Sequence, residues 1–219
     1  IFKNIEEEGL RIPPSPYQIN GELNGPLFDA LTEKTSPEFT KQISRAASHL
    51  LDLRGVIKQK ILHNHIDLSK QNIKNYLRLS EEQFIQQIDD LSEGVYTFEQ
   101  QITEHEIIRL KLSLIDSLFE FDFNGSSTGT NLFIGDTVTT STVIGGVLSF
   151  LNNYIPINSG VFSHFHIKTS RGSFLNATFP RSLFLGHSDG PLLLAQFVIR
   201  CMADLNKKRS TAASGATLT

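Results

Sequence analysis

The chain has 219 residues, room for one or two domains, and its 39% hydrophobic and 20% charged residues lie well away from the composition of disordered chains. Its 20 Lys and Arg against 23 Asp and Glu leave a formal net charge of −3, which gives no footprint for a polyphosphate and argues against general nucleic-acid binding. A single cysteine, Cys201, excludes an internal disulfide and a cysteine-built zinc cage, and apolar stretches such as Val143–Leu151 are too short to cross a bilayer.

Residues 1–23 carry Pro13, Pro14 and Pro16 with Asn20-Gly21, and Asn24-Gly25 follows, a pattern expected of an extended arm with turns. Ser36-Pro37 announces a helix, an N-cap with proline at the first helical position. Phe39, Ile43, Ala46, Leu50, Leu53, Ile57 and Ile61 then recur at steps of three and four as one apolar stripe, with Gly55 inside the run. Ser80-Glu81-Glu82-Gln83 has the capping-box pattern and predicts a second helix burying Phe84, Ile88 and Leu91.

The period then changes from helical to alternating. Residues 96–98, 110–114 and 119–123 alternate apolar and polar side chains as half-buried antiparallel strands do. Residues 124–129 read as a loop of small residues, and 137–151 as a helix on the spacing of Val143, Val147 and Phe150. Two more strands are expected at 165–169 and 173–178, joined by a turn at Ser170-Arg171-Gly172. A last helix starts near Asp189-Gly190-Pro191 with Leu194, Val198, Cys201 and Leu205 on one face, and 207–219 reads as a loop. The fold class is α+β: helices first, then a mostly antiparallel sheet with two further helices. An arm and helical part (1–92) and a sheet-rich part (93–219) are expected to form one interdependent unit.

Chemistry is sparse on spacing alone. His164 and His166, two apart on a strand, share a face and reach toward one metal only if a third ligand joins them, Glu120 and Asp122 being the nearest suppliers. The simpler reading places both histidines on the polar face of an alternating strand. His63 and His65 follow a helix end, where imidazolium suits the exposed carbonyls. Gly125-Ser126-Ser127-Thr128-Gly129-Thr130 follows a strand but lacks the Lys-Ser/Thr ending of a phosphate-cradling loop, and reads as a connection. Cys201 reads as a small core residue.

Several stretches, taken in order, resemble the hydantoinase B/oxoprolinase family. Glu8–Pro14 (EGLRIPP) is similar to the family's EGLRIPP, residues 121–127 (FDFNGSS) to DFSGTS, 155–161 (IPINSGV) to IPLNAG, and 172–180 (GSFLNATFP) to GSLLNARFP. Weaker similarities are 41–47 to AQIAAN, 91–96 to LPDGTY and 212–217 to AASGGT. The resemblance implies a subunit or fragment of an ATP-dependent enzyme that opens cyclic amides, with a hydantoinase A-like partner that binds ATP and phosphorylates the substrate. Relatives carboxylate acetone or acetophenone, which leaves an ATP-dependent ketone carboxylase subunit as an alternative and a non-catalytic scaffold as another.

Of the polar residues shared with those motifs, Glu8 and Asp122 are the candidates for catalysis or for orienting substrate, and Arg11 and Asn158 for substrate binding, Asn158 also as the holder of a local turn. No metal ligand is assigned to this chain. The family's Asp- and His-bearing segments precede EGLRIPP and have no counterpart here, so ATP with Mg and a divalent metal are expected on partner chains or on B-like segments outside these residues. His164 and His166 fall where the family reads Arg-Pro-x-Arg, which removes them from the family's ligand set. The chain is expected to be cytoplasmic and inactive alone, with Ile1 a boundary inside a larger ancestral chain.

Overall fold

The structure, a computed structural model, describes residues 4–128, 132–151, 154–183, 186 and 188–206. The expected loops at 207–219 and 212–217, and the end of the one at 125–130, lie outside them. Residues 9–72 form one unit, and the remaining described residues a second, larger one.

In the smaller unit the arm is not extended throughout. Asn20 and Gly21, both at positive φ, turn β1 (Gln18–Ile19) back on β2 (Glu22–Leu23) as an antiparallel hairpin. Asn24, expected in a turn, is instead a helix cap: its side chain accepts the Leu27 N–H at 3.4 Å and opens α1 (Gly25–Lys34). Tyr17 packs edge-on against Phe28 at 5.4 Å, and Leu31 is buried. The Ser36 cap holds as expected, its Oγ accepting the Phe39 N–H, and α2 (Pro37–His63) runs through Gly55 unbroken. Its stripe is a correction to the usual expectation that such a face is buried. No residue of α2 is buried, and Leu50, Leu53 and Ile57 are 67%, 51% and 48% exposed.

The helix expected to start at Ser80 starts earlier. Ser69 Oγ accepts the Asn72 N–H at 3.3 Å, and α3 (Lys70–Ile88) is already formed when Ser80 arrives. Ser80 is buried mid-helix and spends its hydroxyl on the Tyr76 carbonyl one turn back. Phe84, Ile88 and Leu91 are buried as their spacing predicts.

The larger unit is built on β3 (Gly94–Gln101), β4 (Ile107–Ile115), β5 (Leu118–Asp122) and β6 (Phe165–Lys168), in that order across the sheet. β3, β4 and β5 are a meander of antiparallel neighbours, while β6 lies parallel to β5, so the sheet is mixed. Asp116 and Ser117 both have positive φ and make the tight two-residue turn between β4 and β5. Alternation puts Phe98, Leu110, Leu112, Leu114, Phe119, Phe121 and Phe165 on one face. That face joins a single core cluster with Phe84 of α3, Val143 and Val147 of α4 (Asp136–Leu151), and Leu194, Val198 and Cys201 of α6 (Asp189–Leu205). Removing such side chains from water stabilises by about 25 cal/mol per Å² of apolar surface, which is why the sheet holds its helices.

Residues 173–178, expected as a strand, form turns. Ser173 N–H donates to Ser170 O, Asn176 N–H to Ser173 O, and Gly172 N–H to Asn176 O at 2.8 Å, so the backbone closes on itself. The segment still buries the adjacent Phe174 and Leu175. A four-residue helix, α5 (Ser159–Phe162), precedes β6.

Candidate functional site

The face of the sheet opposite the core gathers charged residues from all four strands. Register sets Thr97, Lys111, Asp122 and Lys168 in one row, and Val95, Ser113, Glu120 and His166 in the next. Lys168 Nζ lies 2.8 Å from Glu120 Oε1, and Arg109 Nε lies 2.7 Å from Glu99 Oε2. The hydrogen bond that the Lys168 ammonium donates to Glu120 holds it above the ordinary lysine range. These pairs are solvent-exposed and screened by water, so they orient the side chains more than they stabilise the fold. A shallow depression of about 340 Å³, lined by Thr97, Glu99, Arg109, Lys111 and Asn124, opens on this face.

Asp122 therefore sits between two lysine positions, and its Oδ1 accepts the Asn124 N–H at 2.9 Å, starting the loop that follows. Arg109 Nη1 donates to Gly125 O at 2.8 Å. Ser126 Oγ both accepts from Arg109 N–H and donates to Arg109 O, each at 3.1 Å, and Ser127 Oγ accepts the Ile107 N–H at 2.8 Å. The two serine hydroxyls thus act as strand partners for β4, which commits the described part of the small-residue loop to holding the sheet edge. Arg109 and Lys111 were not among the expected site residues. Their signal is parity: an odd-numbered run on a strand whose even-numbered positions are all apolar.

Glu8 and Asn158 are both tied into the backbone. Glu8 Oε1 accepts from Ser182 Oγ and from the Leu183 N–H at 2.5 Å. Next to it Ile5 N–H donates to Pro180 O at 3.0 Å. Asn158 Oδ1 accepts the Gly160 N–H at 2.9 Å, capping α5, while its Nδ2 donates to Ser80 Oγ at 2.8 Å. Arg11 is exposed in the smaller unit. The four expected site residues are thus dispersed: a clamp, a strand end, a cap and an arm position.

The two histidines do not share a face in the way their spacing implies. His164 precedes β6, with its ring 5.4 Å from Phe84 and Nδ1 2.8 Å from Ser117 O, so that Nδ1 carries the proton. Its Nε2 lies 3.4 Å from Glu81 Oε1, while His166 is exposed beside Glu120. His63 and His65 are exposed at the end of α2. Among the described residues no group of three His, Cys, Asp or Glu stands close enough to hold a metal ion.

Cys201 is buried on α6, and burial pushes its thiol up to about 12. The thiolate is the nucleophile in disulfide exchange, so a disulfide reagent at pH 8 is expected to label the buried, neutral thiol only at the unfolding rate. Labelling within the mixing time would contradict this. In the unfolded chain the thiol ionises near pH 9, so stability falls as pH rises from about 9 toward 12, where the folded thiol ionises too.

No helix among the described residues is long and apolar enough to cross a membrane. No curated protein sequence matches the chain. Its fold is similar to that of an ATP-dependent caprolactamase from Pseudomonas jessenii, with a TM-score of 0.73 and 18% sequence identity. That likeness covers 94% of this chain and 38% of the caprolactamase chain, so these residues span well under half of that protein's length. The sequence profile of hydantoinase B/oxoprolinase matches residues 2–219, and on that match the chain belongs to the hydantoinase B/oxoprolinase family.

Proposed function

We propose that this chain is a structural and substrate-orienting part of an ATP-dependent enzyme that opens cyclic amides. The observation that carries this reading is the family match over residues 2–219. The fold it shares with a protein described as an ATP-dependent caprolactamase agrees with that reading. A lactam carbonyl is a poor electrophile, and converting its oxygen to a phosphate ester supplies a good leaving group. ATP with Mg, and a divalent metal, would be held by a hydantoinase A-like partner and by B-like segments outside these residues.

Within such an assembly the residues of this chain position rather than react. Glu8 locks the segment 4–8 onto 182–183, and Asp122 with Arg109 fixes the loop after β5. Arg11 is the one of the four with a cationic head suited to a phosphorylated intermediate, and Asn158 sets the start of α5.

Co-expressing the chain with a hydantoinase A-like subunit and the preceding B-like segments tests this. ADP release with 5-oxoproline, hydantoin or caprolactam is expected to exceed that with acetone or acetophenone plus bicarbonate. Turnover with the ketones alone would support the carboxylase branch, and assembly without substrate-dependent ADP release would support a scaffold.

A further inference from the structure

Three Asn-Gly pairs occur in the chain, at 20–21, 24–25 and 124–125. In such a pair the backbone nitrogen after the asparagine can close a five-membered ring on the side-chain amide carbon. Glycine, with no Cβ, leaves that nitrogen unhindered. What separates the three pairs is how the fold holds each asparagine.

Asn24 is fastened at both ends of its amide. Its Oδ1 accepts the Leu27 N–H at 3.4 Å, and its Nδ2 donates to Pro16 O at 2.8 Å. Asn124 is fastened to a residue far along the chain, its Oδ1 accepting from Ser170 Oγ at 2.7 Å. The turn around it is closed by the Ser126 N–H on Phe123 O at 3.1 Å, and Arg109 Nη1 holds Gly125 O at 2.8 Å. Asn20 differs from both. Among the described residues its side chain has no hydrogen-bond partner, and the Gly21 N–H belongs to neither pair of the hairpin register. That register is short, Gln18 with Leu23 and Ile19 with Glu22, and a ladder of two pairs opens at little cost. The Asn20 backbone can therefore leave its φ of 54° for the conformer in which Cγ meets the Gly21 nitrogen.

We propose that Asn20 is a site of spontaneous deamidation in the smaller unit, and that the fold protects Asn24 and Asn124 from the same reaction. The Gly21 nitrogen gives its proton to solvent base and attacks Asn20 Cγ. The new N–Cγ bond closes a succinimide, the Cγ–Nδ2 bond breaks, and Nδ2 leaves with a solvent proton as ammonia. Water then opens the ring. Cleavage of the N–Cγ bond leaves an aspartyl residue at position 20, and cleavage of the original peptide bond leaves an isoaspartyl one. The aspartyl product keeps the turn, since aspartate tolerates positive φ, and sets a negative charge two residues from Glu22. The isoaspartyl product lengthens the main chain by a methylene, which a two-pair register cannot absorb. Losing the hairpin would also release the Asn24 N–H from Tyr17 O, a 3.0 Å bond beside the cap of α1. This chemistry needs nothing from the rest of the enzyme and stands apart from the reading of the chain as part of a lactam-opening one.

Ageing the full 219-residue chain in mildly alkaline buffer and then digesting it after glutamate tests this, because Glu22 lies between Asn20 and Asn24. Mass spectrometry reads the change from amide to acid at each site, and an L-isoaspartyl methyltransferase marks the isoaspartyl product. Asn20 is expected to lose its amide at least about tenfold faster than Asn24 or Asn124, each of which must first give up two or more hydrogen bonds. In concentrated urea the three rates should converge, since only the flanking sequence then differs. Ser170→Ala should speed the reaction at Asn124 and leave Asn20 unchanged, because only Asn124 loses a partner. Amide lost first at Asn24 or Asn124 of the folded chain would overturn the proposal. So would an intact Asn20 in a folded sample whose urea-treated twin has deamidated, or the same margin between the sites in urea.

Discussion

Replacing Gly160 with alanine is expected to destabilise the larger unit by about 3 kcal/mol or more. A Cβ at this position would sit 2.2 Å from the Leu77 carbonyl oxygen and 3.0 Å from its carbon, both backbone atoms of α3 that no rotamer change can move. The Gly160 N–H is also the donor that the Asn158 side chain accepts, and Asn158 reaches on to Ser80. Pushing α5 away from α3 therefore breaks a chain of hydrogen bonds at the same time as it relieves the clash. Urea unfolding of the full chain, with a slope of about 1–3 kcal/mol per molar, should show the midpoint falling by about 1 M or more. Gly145→Ala is the companion variant. It lies in α4 with open space around the missing Cβ, so alanine there is expected to raise stability by roughly 0.5–1 kcal/mol. Equal midpoints for the two variants would refute the close approach of α5 to α3.

Phe119→Ala is expected to have an effect at least as large, about 3–5 kcal/mol. Phe119 is fully buried at the junction of β5 with both its neighbours. Its ring stacks on Phe165 at 5.5 Å and on Phe121 at 5.9 Å, and meets Phe84 of α3 at 6.3 Å. Truncation removes one ring from three pairs and leaves a cavity walled by rigid aromatics, which cannot collapse to fill it. Phe119→Leu, which keeps most of the volume, should cost distinctly less. Calorimetry on the full chain separates the two, and similar melting temperatures for both would show that the ring is not the anchor of this core.

Much of this core was legible because alternation and helical spacing are properties of the chain itself. Strands β3, β4 and β5, the buried face of α6 from Leu194 to Leu205, and the Ser36 cap all lie where local pattern puts them. The misreadings share a cause. Ser80-Glu81-Glu82-Gln83 satisfies the pattern of a helix start, but a serine can equally bond back to the preceding turn, and Ser80 does so with Tyr76. Asn24-Gly25-Pro26 carries the same residues in a turn as in a capped helix, and only the Leu27 N–H decides between them. The stripe of α2 was legible as a stripe, but whether anything covers it is a tertiary fact.

The candidate site was less legible than the fold. Resemblance drew attention to Glu8, Arg11, Asp122 and Asn158, yet the partners that give Glu8 its place are the Ser182 hydroxyl and the Leu183 N–H, far along the chain. The partners of Asp122 depend on register across β4, β5 and β6. Parity marks Lys111 as outward-facing, but pairings of this kind leave no mark in local spacing, which is why its alignment with Asp122 and Lys168 emerged only with the sheet.

The parallel seat of β6 beside β5 also has a temporal consequence. Hairpin turns let β3, β4 and β5 find one another along neighbouring stretches, whereas β6 reaches its place only after α4 and α5 have been laid down. Closing so long a loop costs entropy before any hydrogen bond repays it, so the meander is expected to assemble early and β6 to dock late. Until it docks, β5 presents an open edge and Phe119 lacks the ring of Phe165. The slowest-forming strand is thus the one that completes the aromatic core, and the nascent chain passes through a stage with its most adhesive surface uncovered.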